Sequence, residues 1–166
     1  EITNIDFLKY VGKTKKPILL ATGASTINEI RDAIKAIKST GNNKIILMQS
    51  VTEYPSPINQ ANIKSILTLR EKFKLNVGYS DHSLGTNISV AAVALGACVL
   101  EKHFTLDKTC AGPDHAASLE PDELKRMVLQ IREVEAALGD GIKIPAKSEH
   151  LNAIASRRSL VAREDI

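Results

Sequence analysis

The sequence predicts an α/β fold of parallel strand–helix units, and three observations carry that prediction. Short apolar runs alternate with longer amphipathic stretches along the chain. The runs are continuously apolar, as strands covered on both faces are. Each run ends in a small or reactive polar residue. The runs are Ile18–Ala21, Ile45–Met48, Val77–Tyr79 and Ala97–Leu100, followed in turn by Thr22-Gly23, Gln49-Ser50, Ser80-Asp81-His82 and Glu101-Lys102-His103. Strand then helix, repeated four times, argues for βα units with a parallel sheet. Periodicity leaves an open doubly wound sheet and a (β/α)8 barrel as alternatives, and these units would make only half a barrel.

The helices are read from caps and stripes. Ile5 to Val11 is expected to be helical and to lead into the first strand. Thr26 and Glu29 form a capping box, each side chain satisfying a free amide at the helix start. Ile27, Ile30, Ile34 and Ile37 follow as one apolar stripe that Gly41 can end. Ile63, Ile66, Leu69 and Phe73 mark a second stripe. Asn87 to Leu95 is apolar on most faces, which suits a short, well-buried helix. Pro121 opens the last helix, where a missing N–H costs nothing, and Gly139 closes it after the stripe Leu124, Met127, Ile131, Val134 and Leu138.

Composition narrows the function classes. Hydrophobic residues make up 43% and charged residues 25%, which suits a globular domain with a sizeable core. No apolar run is long enough to cross a membrane. Glu1-Ile2-Thr3-Asn4 carries neither the basic nor the apolar part of a signal peptide, and without an initiator Met the chain is expected to begin inside a larger protein. Lys and Arg number 22 against 19 acids, a scattered excess of +3 that does not argue for nucleic acid; there is no Trp for a stacking platform. Such a balance suits a small anionic substrate among many roles. Cys98 and Cys110 form no disulfide framework, so a reducing cytoplasm is the expected setting.

In parallel βα folds ligands bind at the C-terminal ends of the strands, so the four polar run-ends should share one rim. His82 and His103 each follow an apolar run and would meet on adjacent strand tips. Two imidazoles completed by water or substrate oxygens suit a divalent transition ion; equally, both can cap strand ends by hydrogen bonding. Ser80 and Thr22 can donate hydroxyls to phosphate or carboxylate oxygens, although loop hydroxyls more often satisfy a turn's backbone. Asp81 can orient His82 or hold the start of the next helix. Tyr54 sits between two prolines' reach in Glu53-Tyr54-Pro55-Ser56-Pro57 and can contact a sugar or pack under its loop. Gly112-Pro113-Asp114-His115 offers a carboxylate and an imidazole in a tight turn. Lys102 can face phosphate, solvent being its more usual place; Cys98 is expected in the core and Arg157-Arg158 in solvent.

Gly78 to Gly85, Val93 to Ala97, Glu101 to Asp107, Gly112 to His115 and Ser118 to Pro121, in that order, closely resemble the sialic acid synthase family. Lys16 to Gly23 and Thr52-Glu53-Tyr54-Pro55 resemble it too, so the likeness covers nearly the whole chain. It implies the C-terminal half of a (β/α)8 barrel over residues 1–142, a linker over 143–158, and over 159–166 the start of a truncated antifreeze-like domain. It implies a metal-dependent condensation of phosphoenolpyruvate with an N-acetylated aminosugar such as N-acetylmannosamine, with release of phosphate, in a cytoplasmic enzyme that is a homodimer at full length. By carry-over His82 and His103 hold a divalent metal, Mn2+ in type, Ser80 contacts phosphoenolpyruvate, and Tyr54, Thr52 and Asp114 line the sugar site. Ala21 stands where some members carry a phosphate-contacting serine, and Thr52 where some carry asparagine. The family's carboxylate and lysines near the reacting carbons have no counterpart here, so no catalytic residue is assigned. The alternatives are a silent half-barrel needing its N-terminal partner half, a synthase for legionaminic or pseudaminic acid, and another metal-dependent enzyme that uses phosphoenolpyruvate to make a different keto-sugar acid.

Overall fold

Asn4 begins the first helix by accepting a hydrogen bond from the Phe7 amide, and helix α1 runs over Ile5–Lys13. The computed structural model describes residues 1–158, 160, 161, 163 and 164. Strand β1 (Ile18–Ala21) follows, then α2 (Ile27–Ser39), β2 (Ile45–Ser50), α3 (Ser65–Phe73), β3 (Asn76–Asp81), α4 (Asn87–Ala94), β4 (Leu100–Lys102) and α5 (Pro121–Leu138). The local signals act as their chemistry dictates. Thr26 and Glu29 close the capping box of α2, and Pro121 occupies the first turn of α5, whose end is Gly139 at φ 60°.

All strands are parallel and lie in the order β1-β2-β3-β4. A doubly wound sheet reverses its strand order at a switch point; here each unit adds its strand on the same side, as a barrel wall requires. Right-handed crossovers in one direction put every helix on one face. Accordingly Ile18 and Leu20 pack into a single core with Ile30, Ile34, Ile37, Leu47, Ile66, Leu69 and Val77. Leu19 and Ala21, pointing the other way along β1, are exposed. The sheet is half of a (β/α)8 barrel with helices outside and its inner wall open. Gly78 lets the strands close up: a Cβ there would lie 2.5 Å from Met48 Sδ and 2.6 Å from the Val99 carbonyl.

Two expectations need correction. The fourth strand lies at Leu100–Lys102, three residues beyond the start of its apolar run, although Cys98 N already bonds to Val77 O and Tyr79 N to Val99 O. Cys98 is exposed rather than in the core, because β4 is an edge strand with no neighbour beyond it among the described residues. The stretch 143–158, expected as a linker, holds a 3-10 turn, Lys147–Glu149, and helix α6, His150–Ser156, neither with a buried residue. Arg157 and Arg158 are exposed, as expected. The expected opening of a small domain over 159–166 falls in part outside the described residues.

Candidate active site

The register of the sheet sets the site. Ser50 on β2 pairs with Ser80 on β3, and Ser80 with Glu101 on β4. Register partners in a parallel sheet point the same way, so these residues form one polar row across the inner wall at the strand tips. The row floors a cavity of about 260 Å³ lined by Ala21, Gly23, Ser50, Thr52, Tyr54, Ser80, His82 and Glu101, with Glu1 and Ile2 at its side. Ser80 Oγ donates to Glu101 Oε1 at 2.8 Å. Gly23 lets the backbone after β1 press close: a Cβ there would stand 2.3 Å from Thr52 Oγ1 and 2.9 Å from Ser50 Oγ.

His82 and His103 converge. Their ring centroids are 5.4 Å apart at 78°. An imidazole bound through one nitrogen sets its centroid roughly 3.2 Å from an ion, so two rings sharing one ion lie roughly 4.5–5.5 Å apart; the observed pair fits. His82 Nδ1 lies 2.7 Å from the Val51 carbonyl oxygen. That oxygen can only accept, so the proton sits on Nδ1 and leaves the Nε2 lone pair facing Ser80 Oγ at 3.4 Å and no other hydrogen-bonding group among the described residues. Behind His103, Asp114 Oδ2 stands 3.6 Å from Nδ1, longer than a hydrogen bond but placed to orient the ring. Tyr54 completes a three-ring cluster, 4.1 Å from His82 and 5.5 Å from His103 between centroids. Among the described residues no third His, Cys, Asp or Glu joins the pair around one point.

The other expected residues divide. Thr52 and Tyr54 face the cavity. Thr22 is buried and spends its hydroxyl on the Met48 carbonyl at 3.0 Å, the ordinary role of a turn hydroxyl. Asp81 makes no bond to His82; it accepts from the Ser83 amide and from the Ser83 and Ser89 hydroxyls, so it holds the loop into α4. The expectation that Lys102 faces solvent is overturned: its side chain is 3% exposed and pairs with Asp81 at 3.0 Å, because the residue preceding inward-facing His103 points outward beneath the helices. His115 turns to Thr105 Oγ1 at 2.7 Å rather than to the cavity.

Ser50 and Glu101, placed on the rim by sequence but given no individual role, both line the cavity. Ser50 is 9% exposed, faces the cavity and makes no side-chain hydrogen bond among the described residues. Glu101 supplies the cavity's carboxylate. The signal that finds both is register: once the strands' inward phase is set by Ser80, the pairing rows of Ser50 and Glu101 follow.

Comparison with known proteins agrees with this geometry. Residues 1–143 match the NeuB family. An N,N'-diacetyllegionaminic acid synthase of Campylobacter jejuni is 52% identical over 168 residues, covering 100% of this chain and 50% of the relative. A synthase of the same name from Legionella pneumophila is 41% identical over 170 residues, covering 100% of this chain and 48% of the relative. The crystal structure of an N-acetylneuraminic acid synthetase from Leptospira borgpetersenii, in complex with citrate, superposes with a TM-score of 0.84 at 35% identity, over 95% of this chain and 56% of that one. The chain thus spans about half the length of the curated relatives it matches. Fold, strand-tip site and these similarities agree: this chain belongs to the NeuB family.

Proposed function

We propose that this chain forms the cation-binding half of a nonulosonic acid synthase site, which condenses phosphoenolpyruvate with the open-chain aldehyde of an N-acetylated aminosugar. The observation that carries the reading is the His82–His103 pair, 5.4 Å apart with one lone pair left free by the Val51 bond. A divalent ion there, Mn2+ in type, would supply Lewis acidity to the sugar's carbonyl. In the reaction C3 of phosphoenolpyruvate forms a bond to the aldehyde carbon, water adds its oxygen at C2, and the C2–O bond to phosphate breaks.

The chain's own residues bind and orient. Ser50 offers its hydroxyl to the oxyanions of phosphoenolpyruvate, standing in for the serine that Ala21 lacks, while Ser80, whose one proton goes to Glu101 Oε1, floors the site beside it. Glu101, held by Ser80, is placed to accept a hydroxyl proton or bond a sugar hydroxyl. Tyr54 covers the histidines with an amphipathic ring suited to a sugar face, and Thr52 and Asp114 flank it. The relatives named for N,N'-diacetyllegionaminic acid favour an aminosugar with two acetamido groups over N-acetylmannosamine.

The open edges of β1 and β4 and the half-length coverage favour one further statement: turnover requires a second half-barrel. The test is release of inorganic phosphate from phosphoenolpyruvate with Mn2+ and a panel of acetamido sugars. It is run for the chain alone and with the separately expressed N-terminal half of the Campylobacter relative. Aminosugar-dependent phosphate in the mixture supports the reading. No phosphate in an assembled mixture with any sugar contradicts it.

A further inference from the structure

We propose that Asp81 and Lys102 are positioning residues: their buried ion pair, on the helix side of the sheet, sets the spacing of the His82 and His103 rings on the other side. The proposal deepens the synthase reading and rests on it for the ion alone.

The pair is the last rung of the β3–β4 ladder, which has the register pairs Tyr79↔Leu100, Ser80↔Glu101 and Asp81↔Lys102. Each histidine is the next residue along. Alternation along a strand turns residue and successor to opposite faces, so whatever is fixed outside at this rung is fixed inside at the next. Besides this rung, the tip of β4 is held by the Leu119 amide, which donates to the His103 carbonyl at 2.9 Å, and by the Ser80–Glu101 bond. Of the three, only the rung joins the tip to β3 on the helix side. The strand is three residues long, and its far edge has no partner strand among the described residues.

Every polar side-chain atom of the rung has a partner. Asp81 Oδ1 accepts from Ser83 N at 2.9 Å and Ser83 Oγ at 2.7 Å. Oδ2 accepts from Ser89 Oγ at 2.6 Å and Lys102 Nζ at 3.0 Å. The ammonium also donates to the Ser83 carbonyl. The two side chains are 0% and 3% exposed. A buried ion pair is seldom worth more for stability than apolar residues of the same volume, whereas its directional bonds specify one geometry. Here those bonds tie together β3, β4, the loop after β3 and α4, the elements that must agree for the two imidazoles to share an ion. Groups behind metal ligands commonly govern affinity about 10- to 100-fold.

The test compares wild type, the neutral pair Asp81→Asn/Lys102→Met, Ser89→Ala, His82→Ala and, as a remote destabilised control, Ile37→Ala. Long-range 1H–15N spectra of the metal-free chain at about pH 8, where imidazoles are ordinarily neutral, report the His82 tautomer; Mn2+ titration reports affinity. Wild type should show one His82 tautomer, protonated on Nδ1. The neutral pair should show averaged tautomers and Mn2+ binding weakened about tenfold or more. Ser89→Ala, which deletes one hydroxyl and reads the same contact if the double variant does not fold, should move both readouts less far in the same direction, and Ile37→Ala should move neither. Folded Asp81→Asn/Lys102→Met or Ser89→Ala chains that keep the single tautomer overturn the proposal. Unchanged Mn2+ affinity in His82→Ala would remove the cation reading, while the tautomer spectrum still decides the positioning role.

Discussion

At the scale of single residues, the site depends on close approaches that tolerate no added atom. A Cβ on Gly23 would press on both Thr52 and Ser50 across the cavity mouth. Gly23→Ala should therefore weaken phosphoenolpyruvate binding about tenfold or more and, by overpacking, also destabilise the fold by about 1–3 kcal/mol. Calorimetric titration beside a thermal melt checks it. Ser50→Ala is the complementary change: it removes a hydroxyl that no group among the described residues uses, so stability should hold within ~0.5 kcal/mol as affinity for the anionic substrate falls several-fold. Equal affinity would mean that Ser50 does not touch the ligand. These residues also show what the sequence makes legible. His82 and His103 announce themselves because each follows an apolar run and imidazoles at strand ends are chemically conspicuous. Lys102 misleads because its partner Asp81 is 21 positions away and meets it only through strand register, which composition and periodicity do not reveal. A serine such as Ser50 has no distinguishing neighbourhood until its row is known.

At the scale of elements, caps and stripes were readable wherever the chemistry is local. The Thr26–Glu29 box, the Pro121 start and the Gly139 stop are contacts within a few residues, and the structure contains all of them. The fourth strand was displaced because an apolar run at an unpaired edge does not mark where pairing begins. The Glu29 box predicts a pH dependence. Hydrogen bonds from the Thr26 amide and hydroxyl hold the Glu29 carboxyl below its usual value. A depressed folded pKa contributes stability that is complete above the unfolded value, near pH 4.3, and is lost as pH falls through the folded one. Urea unfolding at successive acid pH values should show wild type losing more stability than Glu29→Gln over that window; parallel losses would mean the box contributes nothing. Gly78→Ala, which places a methyl against Met48 Sδ and the Val99 carbonyl, should destabilise by about 1–3 kcal/mol and disturb the β3–β4 pairing that carries both histidines.

At the scale of the whole molecule, the strand order separates a barrel wall from an open doubly wound sheet, which periodicity left as alternatives. Its consequence, among the described residues, is two strand edges without a neighbour and an inner wall with Leu19 exposed. Unpaired parallel edges recruit other chains, so the isolated chain should self-associate with concentration in analytical ultracentrifugation, and a complementary half-barrel should suppress it. A strictly monomeric chain over the whole range would contradict that. The central claim is narrower: two imidazoles on neighbouring strand tips hold one cation. Mn2+ titration followed by electron paramagnetic resonance of the free ion tests it most directly. The account predicts one ion bound per wild-type chain and affinity lowered at least about tenfold in His82→Ala and in His103→Ala alike. Affinity unchanged in both variants would contradict it.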